Sequence, residues 1–300
     1  VERDDRLRPP RPTRRRILVR RFAAIGAVLV VLGVGVYGAL RVVNHFSRAS
    51  APATTTVRQL RQFRILFPEG FTRAQMAARV AAVATIAERE QHGKKVKLSE
   101  AAYLAATKHP RAIPGFGPKR YPLEGFLFPD TYDFDKTSTS SFLVQEQLSE
   151  FSGMWKKVNL SYARSKNLTP YDVLIIASMI QGEVEVPSEN KLVSEVIYNR
   201  LHDHMPLGID ATLRYGLHIP PTQSITQSEL ANPTPYNTRL HDGLPPTPIG
   251  NPGLAAIEAA AHPATGNYLY FVRKPDHKHH YFTSSYQDFV NHEIQYGYTP

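Results

Sequence analysis

An apolar helix that ends in carboxylates is the first place in this chain where chemistry could sit. Val173 to Ile180 is almost wholly apolar, and Gln181, Gly182, Glu183 and Glu185 follow it before Pro187. A carboxylate at the end of a core helix costs free energy unless it is paired, hydrated or used. Partial desolvation raises its pKa, which suits a general acid at neutral pH. The plainer alternative leaves Glu183 and Glu185 at a solvent-facing helix end with no task. Asp210 is a possible second carboxylate for a hydrolytic pair. Glycoside hydrolysis sets its outcome by the distance between two such groups, and chain spacing does not give that distance.

A second cluster combines an aromatic ring, an amide and a hydroxyl. Tyr236, Asn237 and Thr238 stand between Pro235 and the Leu244-Pro245-Pro246 run. Rings stack on sugar faces and amides take sugar hydroxyls, so the trio would suit a saccharide. An Asn turn with a packed Tyr explains the same residues. Other chemistries have less support. His277, His279 and His280 lie in the expected turn of a hairpin, and with no HExxH and no Cys they read as a solvated loop, not a metal site. No GxSxG elbow and no GxxxxGK[ST] loop is present, so neither a serine nucleophile of that type nor a phosphate cradle is expected. No cofactor is expected. The absence of Cys excludes disulfides and thiolate chemistry.

The elements that must position these residues can be read from their punctuation. Thr169, Pro170 and Asp172 open the helix that carries Glu183. A second helix is expected after Pro187, capped by Ser188, with Leu192, Val193, Val196, Ile197 and Leu201 on one face. Leu207 to Gly253 is dense in Pro, Gly, Asn and Thr, and its only clear helix is a short one with a Thr226–Glu229 capping box. Irregular segments this long within a domain are usually functional. Asn251 and Pro252 start a helix over Leu254 to Ala261, and Tyr268–Val272 and Tyr281–Ser285 alternate like the strands of a hairpin. Upstream, a strand is expected over Phe63–Phe67, a helix from a Thr72–Gln75 capping box to Gly93, and a shorter helix from Ser99 to before Pro110. Helical spacing returns with Val144, Leu148, Phe151 and Trp155.

Charge and hydropathy place the chain at a membrane. The formal net charge is +10, but residues 1–21 hold nine Arg against Glu2, Asp4 and Asp5, leaving +4 for the remainder. A tail of that kind argues against a nucleic-acid-binding face on the folded part. Phe22 to Leu40 is uncharged and long enough to cross a hydrocarbon core as a helix. Its length favours a retained anchor over a cleaved leader, although the small residues of Ser47–Ala53 would permit cleavage. Arg before the span sets the N-terminus in the cytoplasm and the rest outside.

Four segments, in order, resemble the endolytic murein transglycosylases of the YceG-like family. They are EGFLFPDTY from Glu124, ASMIQGE with the following VIYNRL, DATLRYG from Asp210, and TPYNTRLHDGLPPTPIGNPG leading into AAAHP, YLYFV and the YFT strand. The resemblance covers about residues 64–290. It implies non-hydrolytic cleavage between MurNAc and GlcNAc within peptidoglycan glycan strands. The MurNAc C6 hydroxyl attacks its own C1 and leaves a 1,6-anhydro end. One carboxyl can donate and then accept the proton. Of the two Glu that the family commonly carries in this helix, the first is Gln181 here and the second is Glu183, which is therefore the implied acid/base. Asp210, Thr212, Tyr236, Asn237 and Thr238 match motif positions implied to shape the glycan cleft. The implied fold class is α+β: a basic tail (1–21), a single transmembrane helix (22–40), a linker (41–60), a small LysM-like αβ module that is only partly present (61–112), and a mixed catalytic domain with a buried helix pair and a C-terminal β-hairpin (113–300). Peptidoglycan, the plasma membrane and cell-wall synthases are the implied partners. Two alternatives stay open: a hydrolase using Glu183 and Asp210, and a non-catalytic glycan-binding scaffold.

Overall fold

The computed structural model describes residues 61–298 and, ahead of them, Gly35 alone. Apart from Gly35, the expected basic tail, span and linker lie outside the described residues. No helix among those described is long and apolar enough to cross a membrane. Strand β1 (Phe63–Leu66) pairs antiparallel with β4 (Thr131–Phe134), with Phe63 opposite Phe134 and Leu66 opposite Thr131. Helix α1 (Arg73–Glu90) starts on the expected capping box, in which Thr72 and Gln75 each accept the other's backbone N–H. Helix α2 (Glu100–Ala106) is capped by Ser99. A two-residue ladder, β2 (Arg111–Ala112) with β3 (Arg120–Tyr121), precedes β4, and α3 (Ser140–Trp155) follows it. Phe151 and Trp155 of α3 close on Phe116, whose ring centroid lies 4.6 Å from that of Trp155 and 4.9 Å from that of Phe126. The mixed α+β class is as expected.

After the short α4 (Ser161–Ser165), helix α5 (Pro170–Glu183) runs through the middle of the core, with Val173 to Ile180 all buried. Its main neighbours are α9 (Leu254–Ala261) and α6 (Asn190–His202). Ala256, Ala259, Ala260 and Ala261 let α9 approach closely, and the Tyr198 hydroxyl of α6 donates to the Ala260 carbonyl at 2.7 Å. Ser178 is the polar exception inside α5. Its hydroxyl donates to the Ile175 carbonyl and accepts the Ile249 N–H, so the group is satisfied and also holds the Pro-rich segment to the helix. Strands β5 (Tyr270–Arg273) and β6 (His280–Thr283) form the expected hairpin, with ends displaced from those read in the sequence.

Two local expectations change, and one helix is new. Ser188 does not cap α6: Pro187–Glu189 make a 3-10 turn, α6 begins at Asn190, and no side chain caps it. Asp210 does not lie in a loop but opens helix α7 (Asp210–Leu217), ahead of the expected α8 (Gln227–Leu230). A further helix, α10 (Tyr286–Gln295), follows the hairpin and is capped by Ser285.

Candidate functional site

The described residues enclose an open cleft of about 1360 Å³, floored by Ser178, Gly182 and Glu183 and walled by α7, Arg239 and the β5–β6 hairpin. Glu183 is the last residue of α5. That position has consequences for its proton. Burial and the negative charge of nearby Asp210 raise its pKa above the ordinary carboxylate range. The negative end of the α5 dipole acts in the same direction. Against these stands the Ala211 N–H in the first turn of α7, which donates to Glu183 Oε1 at 3.3 Å. Burial and Asp210 thus favour the protonated carboxyl, and a hydrogen-bond donor is already in place for its anion.

The approach of α7 to α5 depends on Gly182, since a Cβ there would lie 3.1 Å from the Ala211 Cβ. Arg273 reaches across from β5. Its guanidinium donates to the Glu183 backbone carbonyl at 3.0 Å, capping the end of α5, and stands 3.8 Å from Glu185. Asp210 is half-exposed and pairs with Arg239 at 2.5 Å. Gln181, at the position of the other motif carboxylate, turns away from this chemistry. Its side-chain oxygen accepts the Gly253 N–H at the start of α9.

The remaining expected site residues fall in two places. Thr212, Asn237 and Thr238 are fully buried beneath the wall of the cleft. The Thr238 hydroxyl accepts the Ile209 N–H at 3.0 Å and meets the Thr212 hydroxyl at 3.0 Å, fixing the start of α7. Asn237 makes its own turn, donating to the carbonyls of Leu230 and Asn232. Tyr236 packs on Tyr215 of α7 and exchanges a hydrogen bond with Thr247 at 2.8 Å. These residues support the wall behind Asp210, and only Asp210 among them lines the open space.

Two cleft residues were not singled out by spacing. Glu124 is 7% exposed, and its carboxyl accepts from the Arg73 N–H at 2.8 Å, Asn251 Nδ2 at 2.9 Å and the Tyr215 hydroxyl at 3.1 Å. Burial nevertheless pushes its pKa up to about 7. The available signal was a lone carboxylate in the apolar run Leu123–Phe128, directly before a glycine. Gly125 has φ +89°, and a Cβ there would collide with Pro248, so this turn is reserved for glycine. The second residue is His280. His277 and His279 are exposed as expected, but His280 begins β6, and its ring is turned inward beside Glu189. Among the described residues no group of His, Asp and Glu is placed to hold a metal ion. A smaller hollow of about 530 Å³ beside β4 is lined by Asp130, Asp133, Asp135, Glu146 and Glu150, and lies apart from these groups.

Fold and site together define an α+β protein whose central helix brings a carboxyl of raised pKa to the floor of an arginine-rimmed cleft. The YceG-like family matches residues 38–294, and the chain belongs to that family. It is 31% identical over 222 residues to an endolytic murein transglycosylase of Bacillus subtilis, covering 71% of this chain and 59% of that protein. It is 30% identical over 246 residues to an endolytic murein transglycosylase of Streptococcus pneumoniae, covering 75% of this chain and 43% of that one. The chain therefore matches about half the length of these relatives. A crystal structure of a yceG-like protein from Listeria monocytogenes superimposes with a TM-score of 0.61 at 28% identity, over 76% of this chain and 74% of that one.

Proposed function

We propose that this protein is an endolytic peptidoglycan lytic transglycosylase, with Glu183 as its general acid/base. The observation that carries the reading is the environment of Glu183: a carboxyl whose pKa is raised by burial and by Asp210, at the floor of a cleft large enough for several sugars, with the Ala211 N–H ready for its anion. Glu183 protonates the oxygen of the scissile MurNAc–GlcNAc bond. As that bond breaks, the C6 hydroxyl of the same MurNAc closes on C1 and its proton passes to the carboxylate. The product is a 1,6-anhydroMurNAc end, and the acid is regenerated without water entering the balance. Asp210 is already engaged by Arg239, which favours an electrostatic part for it over that of a base for water. Thr212, Tyr236, Asn237 and Thr238 shape the cleft from behind. The span over 22–40 anchors the protein in the plasma membrane, N-terminus inside, and holds the cleft against nascent glycan outside, where synthases are natural partners.

Mass spectrometry of glycan strands digested by the soluble part, with Glu183→Gln alongside, tests this. The expected products end in 1,6-anhydroMurNAc and vanish in the variant. Reducing ends would instead make the protein a hydrolase. A folded wild type that binds strands and releases nothing would make it a scaffold.

A further inference from the structure

The glycan reading leaves one buried pair beside the cleft without a task. Glu189, in the turn after α5, is 8% exposed, and His280 at the start of β6 is 4% exposed. Glu189 Oε2 lies 2.7 Å from His280 Nδ1, and both carboxylate oxygens accept the His280 backbone N–H at 3.1 Å. A carboxylate can only accept, so Nδ1 carries the proton and Nε2 presents its lone pair. Burial lowers the His280 pKa and so favours the neutral ring, although Glu189 acts the other way. Among the described residues Nε2 has no hydrogen-bond partner. The side chain is 2% exposed, so only an edge of the ring is open. His280 lines the same cleft as Glu183.

The hairpin places this acceptor next to the acid. Arg273 and His280 are directly opposite across β5 and β6, so their side chains leave the same face of the ladder. Arg273 reaches the carbonyl of Glu183 from that face. An unprotonated ring nitrogen opening on this cleft takes its donor from the ligand, and sugars supply hydroxyls and acetamido N–H groups.

We infer that His280, fixed in tautomer and orientation by Glu189, is a substrate-contacting residue whose Nε2 accepts a hydrogen bond from a hydroxyl or acetamido N–H of the saccharide bound beside Glu183. The assignment rests on the glycan reading of the cleft. It predicts that the ring selects for a donor at that sugar position and holds the strand without taking part in bond cleavage.

Calorimetric binding of peptide-free glycan strands to the full chain carrying Glu183→Gln tests it without turnover. His280→Asn keeps a donor for Glu189 at the place of Nδ1 but removes the acceptor. His280→Gln restores a polar atom near the place of Nε2. The expected result is an affinity at least tenfold weaker with Asn, partly recovered with Gln, at similar Tm. The 15N resonance of the unprotonated His280 nitrogen, read with no substitution at 280, is expected to shift when strands are added. Equal affinity in parent and Asn variant, or an unmoved resonance on strand binding, overturns the role of His280 and leaves the glycan reading intact. A parent that binds no strand overturns both.

Discussion

Glu183 and Glu124 of the cleft have raised pKa values for different reasons, and the difference is measurable. At Glu183 the causes are burial first and the charge of Asp210 second. Asp210→Asn removes the second and frees the Arg239 guanidinium, which also favours the anion. The alkaline limb of the pH–activity profile, where the acid loses its proton, is expected to move to lower pH in that variant, with the acid limb unmoved. An unshifted alkaline limb would detach Asp210 from the acid. Glu124 has burial alone on the raising side, against three hydrogen bonds that favour its anion. Its folded pKa of about 7 exceeds its ordinary 4.5, so the folded state binds more protons between those values. Stability from this group is therefore present below pH 4.5 and is lost as pH rises through about 7. Glu124→Gln removes that loss. At pH 8 it is expected to be more stable than wild type by up to about 3 kcal/mol, and near parity at pH 4.5, read by chemical denaturation. Equal pH dependence in the two proteins would show that Glu124 is already ionised in the fold.

Among the elements, α7 decides whether the acid is correctly held, because its first turn provides the Ala211 N–H. That turn is anchored from behind by Thr238. Thr238→Val keeps the shape but leaves the Ile209 N–H unpaired in the core and takes a partner from Thr212. The expected cost is about 1–3 kcal/mol in stability, with loss of activity beyond what unfolding explains, seen as reduced kcat in protein still fully folded by circular dichroism. The same helix shows where the sequence could be read and where it could not. Helix α5 was legible because capping box, Pro at the first position and an unbroken apolar run agree. Helix α9 was legible from its alanines and the Asn-Pro before it. α7 was not: Thr212 and Gly216 are poor helix formers, and its start is held by residues far along the chain, which local propensity does not register. Site residues divide in the same way. Glu183 was visible as a polar break in an apolar helix. Glu124 and His280 owe their place to partners that only the fold brings near, Arg73 and Tyr215 for one and Glu189 for the other.

Across the whole folded part, residues 61–112 and 113–298 are joined by contacts that neither can replace. Residues 61–298 belong to one compact unit. β1 finds its strand partner in β4, and the first turn of α1 gives its Arg73 N–H to Glu124. Asn251 acts at the same junction. Its Oδ1 accepts the Leu127 N–H, and its Nδ2 donates to the Phe71 carbonyl and to Glu124. Its backbone also exchanges hydrogen bonds with Gly70 and Phe71. A chain beginning at 113 would leave β4 an unpaired edge, Glu124 short of one donor, and the remaining core without Phe67, Met76 and Val80. The expectation is that residues 61–300 unfold in one cooperative thermal transition and that residues 113–300 alone do not fold, as judged by amide dispersion in NMR spectra. A native-like spectrum from 113–300 would show that the N-terminal strand and helices are an appended module. Glu124 would then be a local feature of the cleft, and its titration would carry no information between the two halves. If the shorter chain fails as expected, the small αβ region is part of the wall that holds the cleft open, through Gly70 and the first turn of α1.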